Sequence, residues 1–141
     1  MRLFFDSSAL VPVFVPGHQH HERCLAVFSA ANRATAYSAA HCLAEVYAAL
    51  TRLPGKYRAA PDQAISCVET IEKHLNVLTL EVAEHVSTIR EAAALGIEGG
   101  KLYDALIAAC ALKAHADVIY TWNVAHFMSL GDEVARKVRT P

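Results

Sequence analysis

Residues 2–10, RLFFDSSAL, contain the pattern that decides the fold. A short apolar run ends at Asp6, and Ser7 and Ser8 begin a polar turn after it. This pattern predicts a β-strand over Arg2 to Asp6, followed by a short helix from about Ser8. Asp6 is therefore expected at the carboxyl end of a strand. In a parallel α/β sheet that edge is where ligands bind.

Strand-like and helix-like patterns alternate along the whole chain. Strands are predicted at 2–6, 35–38, 76–80, 118–121 and 138–140. The longer helices are predicted at about 20–31, 39–53, 61–75, 82–95 and 102–114, and Ser38 is expected to cap the second of these. Strands separated by helices of ten or more residues need crossover connections. The fold class is therefore α/β, with a mostly parallel sheet covered on both faces.

Composition limits the class of protein. With 141 residues, 54% of them hydrophobic, the chain is expected to form one domain over 1–141. No apolar run approaches the roughly 20 residues that span a bilayer, and no secretory signal begins the chain. We therefore expect a soluble cytoplasmic protein. Its cysteines form no CxxC pair, which favours reduced and mostly buried thiols over disulfides or a zinc site: Cys24, Cys42, Cys67 and Cys110.

The charge balance excludes a protein that grips nucleic acid by net charge alone. Thirteen Lys and Arg face fourteen Asp and Glu, which leaves a formal charge of −1. A polyanionic ligand would need a metal ion or a local basic cluster. One such cluster, Arg52, Lys56 and Arg58, surrounds the turn at Pro54 and Gly55, although short basic runs of this kind are more often only a solvated face.

Four polar residues stand at the ends of apolar segments or inside helices: Asp6, Glu45, Asp104 and Asn123. Each alone has a structural explanation, since Asp6 and Asn123 are suitable helix caps and Asp104 suits a first helical turn. Glu45 is typical of a solvated helix surface. In a right-handed parallel fold, however, all four can converge on one edge of the sheet.

Clustered carboxylates repel one another unless a cation compensates their charge. Mg²⁺ or Mn²⁺ prefers such oxygen ligands and commonly keeps several waters. A site of this kind suits phosphodiester hydrolysis, because the ion neutralises charge on the phosphate and lowers the pKa of a bound water.

The chain resembles the PIN-domain ribonucleases, and most closely the VapC-type toxins of toxin–antitoxin pairs. The matching segments, in the order and spacing of the family, are FFDSSALV, AEVYAALTRL, GGKLYDALIAACAL and YTWNVAHF. The resemblance implies a PIN-like three-layer α/β/α fold with four to five strands. It also implies a Mg²⁺-dependent endoribonuclease that cuts single-stranded or loop RNA.

Carried over residue by residue, the resemblance implies that Asp6 and Asp104 are the principal metal-binding carboxylates. Glu45 would complete the acidic cluster and orient the attacking water. Asn123 matches a position where the family uses Asp or Asn, so here the fourth catalytic group is neutral.

Several neighbouring residues are expected to support the site. Thr121 resembles a family hydroxyl that holds a carboxylate, and Ser8 is expected to cap a helix or support the metal ligands. Lys101 and Arg52 are candidate RNA contacts, although each is equally compatible with solvent exposure. The histidines of the motif HQHH, His18, His20 and His21, are expected to form a solvated helix start rather than a metal site.

The resemblance implies an antitoxin whose tail covers the acidic pocket, and a homodimer packed through helices. Two other functions remain open. The neutral Asn123 motivates an RNA-binding PIN-like module with weak or no catalysis. A haloacid-dehalogenase type of phosphotransfer enzyme also places Asp after its first strand, but it needs a second Asp at position 8, which is Ser here.

Overall fold

The computed structural model describes residues 1–141 and has a five-stranded sheet at its centre. The strands are β1 (Leu3–Phe5), β2 (Ala36–Ala39), β3 (Asn76–Leu78), β4 (Val118–Tyr120) and β5 (Val138–Arg139). They are all parallel and lie in the order β3-β2-β1-β4-β5. The predicted α/β class is confirmed, and the sheet is wholly parallel.

Eight α-helices connect the strands, namely α1 (Ser7–Leu10), α2 (His21–Ala30), α3 (Ala40–Leu50), α4 (Pro61–His74), α5 (Val82–Ala94), α6 (Lys101–Lys113), α7 (Val124–Met128) and α8 (Asp132–Ala135). Their main contacts with one another fall into two groups, α1 to α4 and α5 to α8. The chain moves outward from β1 to β3 and then returns to β4 on the other side of β1. Right-handed crossovers therefore place the two groups on opposite faces of the sheet, which gives the three layers that were predicted.

The core lies along the central strand. Phe4 and Phe5 are both fully buried although their side chains point to opposite faces, because helices cover a parallel sheet on both sides. Phe127 of α7 is also fully buried. The four cysteines are free, and three of them are buried, as expected. None of the helices is both long enough and apolar enough to cross a bilayer.

Two sequence predictions about α3 are wrong. The helix ends at Leu50 rather than Leu53, because Pro54 has no N–H to donate to the Leu50 carbonyl, which accepts from the Ala59 N–H at 3.0 Å instead. Ser38 does not cap the helix either. It lies buried in β2, where its hydroxyl donates a 2.8 Å hydrogen bond to the Phe5 carbonyl of β1. The N-cap is instead Ala39, which has no capping side chain.

The strand order creates a switch point between β1 and β4. The connection that leaves β1 leads to one edge of the sheet, and the connection that leaves β4 leads to the other edge. A crevice therefore opens beyond the carboxyl ends of these two strands. Asp6 follows β1 and Thr121 follows β4, and the Asp6 N–H donates to the Tyr120 carbonyl at 3.0 Å. The sheet therefore brings two polar residues from distant segments to one place.

Candidate active site

Asp6 is the centre of the site and is fully buried. It is the N-cap of α1, and its Oδ2 accepts hydrogen bonds from the hydroxyls of Ser8 at 2.7 Å and Thr121 at 2.8 Å. The Ser8 N–H adds a longer bond of 3.4 Å. By contrast, Oδ1 has only the Ser7 hydroxyl, at 3.5 Å. One oxygen is thus held by the protein, and the other keeps most of its capacity for a ligand.

Ser8 and Thr121 also fix the chain that leaves β4. Ser8 Oγ accepts from the Trp122 N–H at 2.8 Å, and Thr121 Oγ1 accepts from the Asn123 N–H at 3.0 Å. The two hydroxyls also lie 3.1 Å from each other. A single network therefore joins the Asp6 carboxylate to the backbone of residues 121–123.

Glu45 approaches Asp6 from the other side. It lies in the second turn of α3 and is half-buried, and its Oε1 accepts a 3.0 Å hydrogen bond from the Ser7 hydroxyl. Ligand atoms of Asp6, Glu45 and Cys42 all lie within 4.8 Å of one another. Two carboxylates therefore share one small space, as the sequence had indicated.

Asp104 belongs to the same electrostatic cluster but lies outside that 4.8 Å group. It lies in the first turn of α6, and its side chain is only 13% exposed. The Nδ1 atom of His126 is 3.0 Å from Asp104 Oδ2. No pattern in the sequence links His126 to this carboxylate.

The other predicted site residues are placed at the rim. Asn123 is exposed at the N-cap position of α7, but its side chain makes no capping bond. Lys101 begins α6 and is partly buried, while Arg52 is exposed and lines a cavity beside Glu45.

Burial raises the pKa of Asp6, and the hydroxyls of Ser8 and Thr121 oppose that rise. Burial also raises the pKa of Glu45, while the Ser7 hydrogen bond lowers it and the charge of Asp6 raises it further. The charge of Asp104 raises both pKa values. The site therefore favours a proton or a cation. Closely placed carboxylate oxygens, one with free capacity, fit a hard divalent ion that keeps waters of its own.

Cys42 is the member of the cluster that sequence reasoning missed. Its thiol is fully buried, and burial raises its pKa well above the ordinary value, with the charge of Asp6 adding to the rise. A neutral thiol is a poor ligand for a hard cation. Cys42 therefore supplies a wall of the site. No signal in the sequence marks Cys42 as part of the site. It only precedes Glu45 by three positions on the same helix.

A cavity of about 410 Å³ adjoins Glu45 and is lined by two histidines of the motif HQHH, His18 and His20. The His20 ring stacks on the Trp122 indole with centroids 3.5 Å apart and planes 9° apart. The side chains that lie close enough together to share an ion are those of Asp6, Cys42 and Glu45, and the histidines are not among them. Part of the motif is nevertheless packed rather than solvated, since His21 Nδ1 lies 2.7 Å from the Pro12 carbonyl.

Comparison with known proteins gives a consistent result. The family model of the PIN domain matches residues 3–124. Ribonuclease VapC27 of Mycobacterium tuberculosis is 37% identical over 117 residues, which cover 82% of this chain and 81% of the relative. Ribonuclease VapC40 of the same species is 33% identical over 114 residues, 81% of each protein.

Solved structures share the fold. The crystal structure of M. tuberculosis VapC20, described as a sarcin-ricin loop cleaving toxin, superposes with a TM-score of 0.74 at 14% identity, covering 94% of this chain and 98% of that one. VapBC2 of Rickettsia felis, bound to a DNA fragment from its promoter, gives a TM-score of 0.64 at 15% identity, with coverage of 99% and 98%. At these identities the likeness concerns the fold alone.

Proposed function

This chain belongs to the PIN-domain family, and on that basis we propose that it is a metal-dependent endoribonuclease, the toxin of a toxin–antitoxin pair. The observation that carries the proposal is the pairing of buried Asp6 with Glu45, since their ligand atoms lie within 4.8 Å. Two carboxylates held this close, one of them fully buried, repel each other, and a bound cation would relieve that repulsion.

We assign the metal to Asp6 and Asp104, with Glu45 completing the cluster. When bound, Mg²⁺ or Mn²⁺ would neutralise phosphate charge and lower the pKa of a coordinated water. Ser8 and Thr121 hold Asp6 Oδ2. Ser7 holds Glu45 Oε1, which leaves the other Glu45 oxygen to orient the attacking water. Asn123 contributes no charge, and we assign it to polar contact at the rim.

RNA is proposed as the substrate because the curated relatives are named ribonucleases. We place the protein in the cytoplasm, where an RNA-cleaving toxin meets its substrate. We further propose an antitoxin that neutralises the site, for which the VapBC2 complex is a structural precedent. A basic residue of its tail would pair directly with the acidic cluster.

A homodimer is also proposed, packed through helices. Val82, Val86 and Ile89 follow one another at helical spacing on α5 and are 81%, 40% and 41% exposed. A stripe of this kind is suited to burial against a second copy. Sedimentation of the free protein measures the state, and a monomer at micromolar concentration would contradict the proposal.

The activity is tested with purified protein, free of any partner, and an RNA containing a hairpin and single-stranded flanks. Cleavage is expected with Mg²⁺ or Mn²⁺ and not with EDTA. Asp6→Asn and Asp104→Asn should each reduce the rate about 100-fold or more, because the metal supplies several kcal/mol of transition-state stabilisation. Asp62→Asn, an exposed Asp in the first turn of α4, is the matched control and should cut normally.

Two results would count against this function. Full-rate cleavage by Asp6→Asn would exclude the acidic cluster as the active centre. Retention of RNA without turnover, at any divalent ion concentration, would instead support the binding module with weak or no catalysis.

A further inference from the structure

We propose that the cavity beside Glu45 is a nucleoside-binding subsite, in which an unpaired base of the RNA extends the stack of His20 on Trp122. The inference rests on the proposed ribonuclease function. It adds which part of the RNA the protein holds, and it gives a reason why that part must be single-stranded. The cavity has a volume of about 410 Å³. Its lining includes Glu45 of the acidic cluster and the neighbouring Ser7, together with His20, Arg52 and Trp122. A base bound there lies next to the phosphate that the cluster would cleave.

The aromatic pair is held in place before any ligand arrives. The Trp122 indole N–H donates to Cys24 Sγ at 3.3 Å, and the Trp122 backbone N–H donates to Ser8 Oγ at 2.8 Å. Ser8 also donates to Asp6. The stacking surface is therefore connected to the buried carboxylate by two hydrogen bonds, so its position relative to the acidic cluster is set by the fold.

The His20 ring is positioned from its own loop. His18 Nδ1 accepts a 3.0 Å hydrogen bond from the His20 N–H, and the His18 ring lies tilted at 5.5 Å from the His20 ring. His20 makes no side-chain capping bond to α2. Its ring therefore has no evident structural task in the helix, and stacking is the interaction it makes.

Arg52 supplies a free cation on the same cavity. The residue is exposed, and its guanidinium makes no hydrogen bond or ion pair with the protein. Its two basic neighbours are engaged, since Arg58 Nε donates to the Leu53 carbonyl at 3.0 Å and Lys56 Nζ lies 5.3 Å from the Tyr57 ring centroid. Of this cluster, Arg52 is thus the guanidinium available to pair with a phosphate of the bound strand.

Two loops beside the cavity contact each other. The Tyr57 ring packs on Gly17 so closely that a Cβ at position 17 would lie 2.5 Å from Tyr57 Cε1. This contact joins the loop that carries His18 and His20 to the loop that follows Arg52. The absence of a side chain at Gly17 therefore lets the aromatic and cationic walls stand at their observed separation.

The chemistry of the cavity selects an unpaired nucleoside. Its volume lies in the range of small-ligand sites, about 300–1,000 Å³. Aromatic side chains beside a cation are how proteins hold splayed bases of single-stranded RNA. A base inside a duplex is already stacked on its neighbours and cannot enter. The subsite thus restricts cleavage to loops, bulges and single strands.

The test uses the single tryptophan of the chain, Trp122, as its reporter. The full-length protein is titrated in EDTA, so that no cleavage occurs, with a six-nucleotide single-stranded RNA, with the same RNA carrying abasic residues, and with a blunt RNA duplex. The intact strand is expected to quench the fluorescence, and the abasic strand and the duplex are not.

Two substitutions probe the walls. His20→Ala and Arg52→Ala should each weaken binding of the intact strand about 5- to 100-fold, the range expected for losing one base stack or one charged contact. In Mg²⁺ they should raise KM for RNA by a similar factor. His85→Ala and Arg90→Ala change exposed residues of α5 outside the cavity and serve as matched controls that should bind as the wild type does.

The outcomes separate the subsite from the nuclease function. Quenching without cleavage by the wild type would contradict the ribonuclease and support the subsite. Cleavage without quenching, or equal quenching by intact and abasic strands, would overturn the subsite while leaving the ribonuclease standing. Because the abasic RNA leaves the protein unchanged, that comparison decides the matter even if a variant folds poorly.

Discussion

Replacement of Thr121 by Val removes a hydroxyl from the network that holds Asp6, and it changes the shape of the side chain little. Thr121 is fully buried, and its Oγ1 donates to Asp6 Oδ2 at 2.8 Å and accepts from the Asn123 N–H at 3.0 Å. Its 3.1 Å contact with Ser8 Oγ contributes less, because each hydroxyl has one hydrogen and both hydrogens are directed to Asp6.

The expected loss of stability depends on which hydrogen-bond partners of Thr121 can bond to water instead. Asn123 is exposed, so its N–H can bond to solvent instead. Asp6 is fully buried and cannot. Losing a hydrogen bond to a carboxylate costs about 1.5–3 kcal/mol, and the added buried methyl group offsets up to about 0.8 kcal/mol. Thr121→Val should therefore lower the free energy of unfolding by about 1–2 kcal/mol.

Urea unfolding in EDTA at pH 7 measures this difference. With an m-value of about 2 kcal/mol/M, the midpoint should fall by about 0.5–1 M while the slope stays constant. Thr70→Val is the matched control, because Thr70 is exposed on α4 and its hydroxyl only returns to the Ser66 carbonyl at 2.9 Å. Its effect should stay within about 0.5 kcal/mol.

The same variant should weaken Mn²⁺ binding about 10- to 100-fold, since residues that orient a metal ligand typically have effects of that size. Calorimetric titration measures the affinity. If Thr121→Val equalled the wild type in both stability and Mn²⁺ affinity, the network around Asp6 would have no energetic role in the site.

Three further outcomes are expected. Phe127→Ala should cost about 3–5 kcal/mol because Phe127 is fully buried, whereas Met128→Ala, at a residue 50% exposed, should have little effect in the same urea assay. Mn²⁺ at 100 times its Kd should stabilise the wild type by about 2.7 kcal/mol in thermal unfolding and leave Asp6→Asn unchanged. Without metal, the folded-state pKa values of Asp6 and Glu45 lie above the ordinary values of 3.8 and 4.5, so the folded state binds more protons than the unfolded state. The wild type should therefore lose stability relative to Asp6→Asn as the pH rises above about 4, and a difference in urea midpoint that is constant with pH would contradict this.

Local patterns in the sequence were enough to predict the order of strands and helices. The run at 2–6, the helix stop at Gly96 and the first helical turn at Pro61 each depend on neighbouring residues alone. The same patterns placed Asp6 and Thr121 at strand ends, because each of them closes a short run of apolar residues. Crossover geometry then indicated one shared edge of the sheet.

Side-chain partners across the sheet were not predictable in this way. The sequence made Ser38 a helix cap, but the position of β2 beside β1 directs its hydroxyl to Phe5 instead. Similarly, His126 had no assigned partner until α7 packed against α6 and brought its ring to Asp104.

The amino-acid sequence by itself determined the elements, their order along the chain and the polar residues at the strand ends, because these depend on periodicity and on turn chemistry within short segments. Only the tertiary structure decided that Cys42 forms a wall of the acidic site and that His20 stacks on Trp122. Those contacts join segments far apart in the chain. Their geometry depends on how the helices pack on the twisted sheet, and no local pattern of residues predicts that packing.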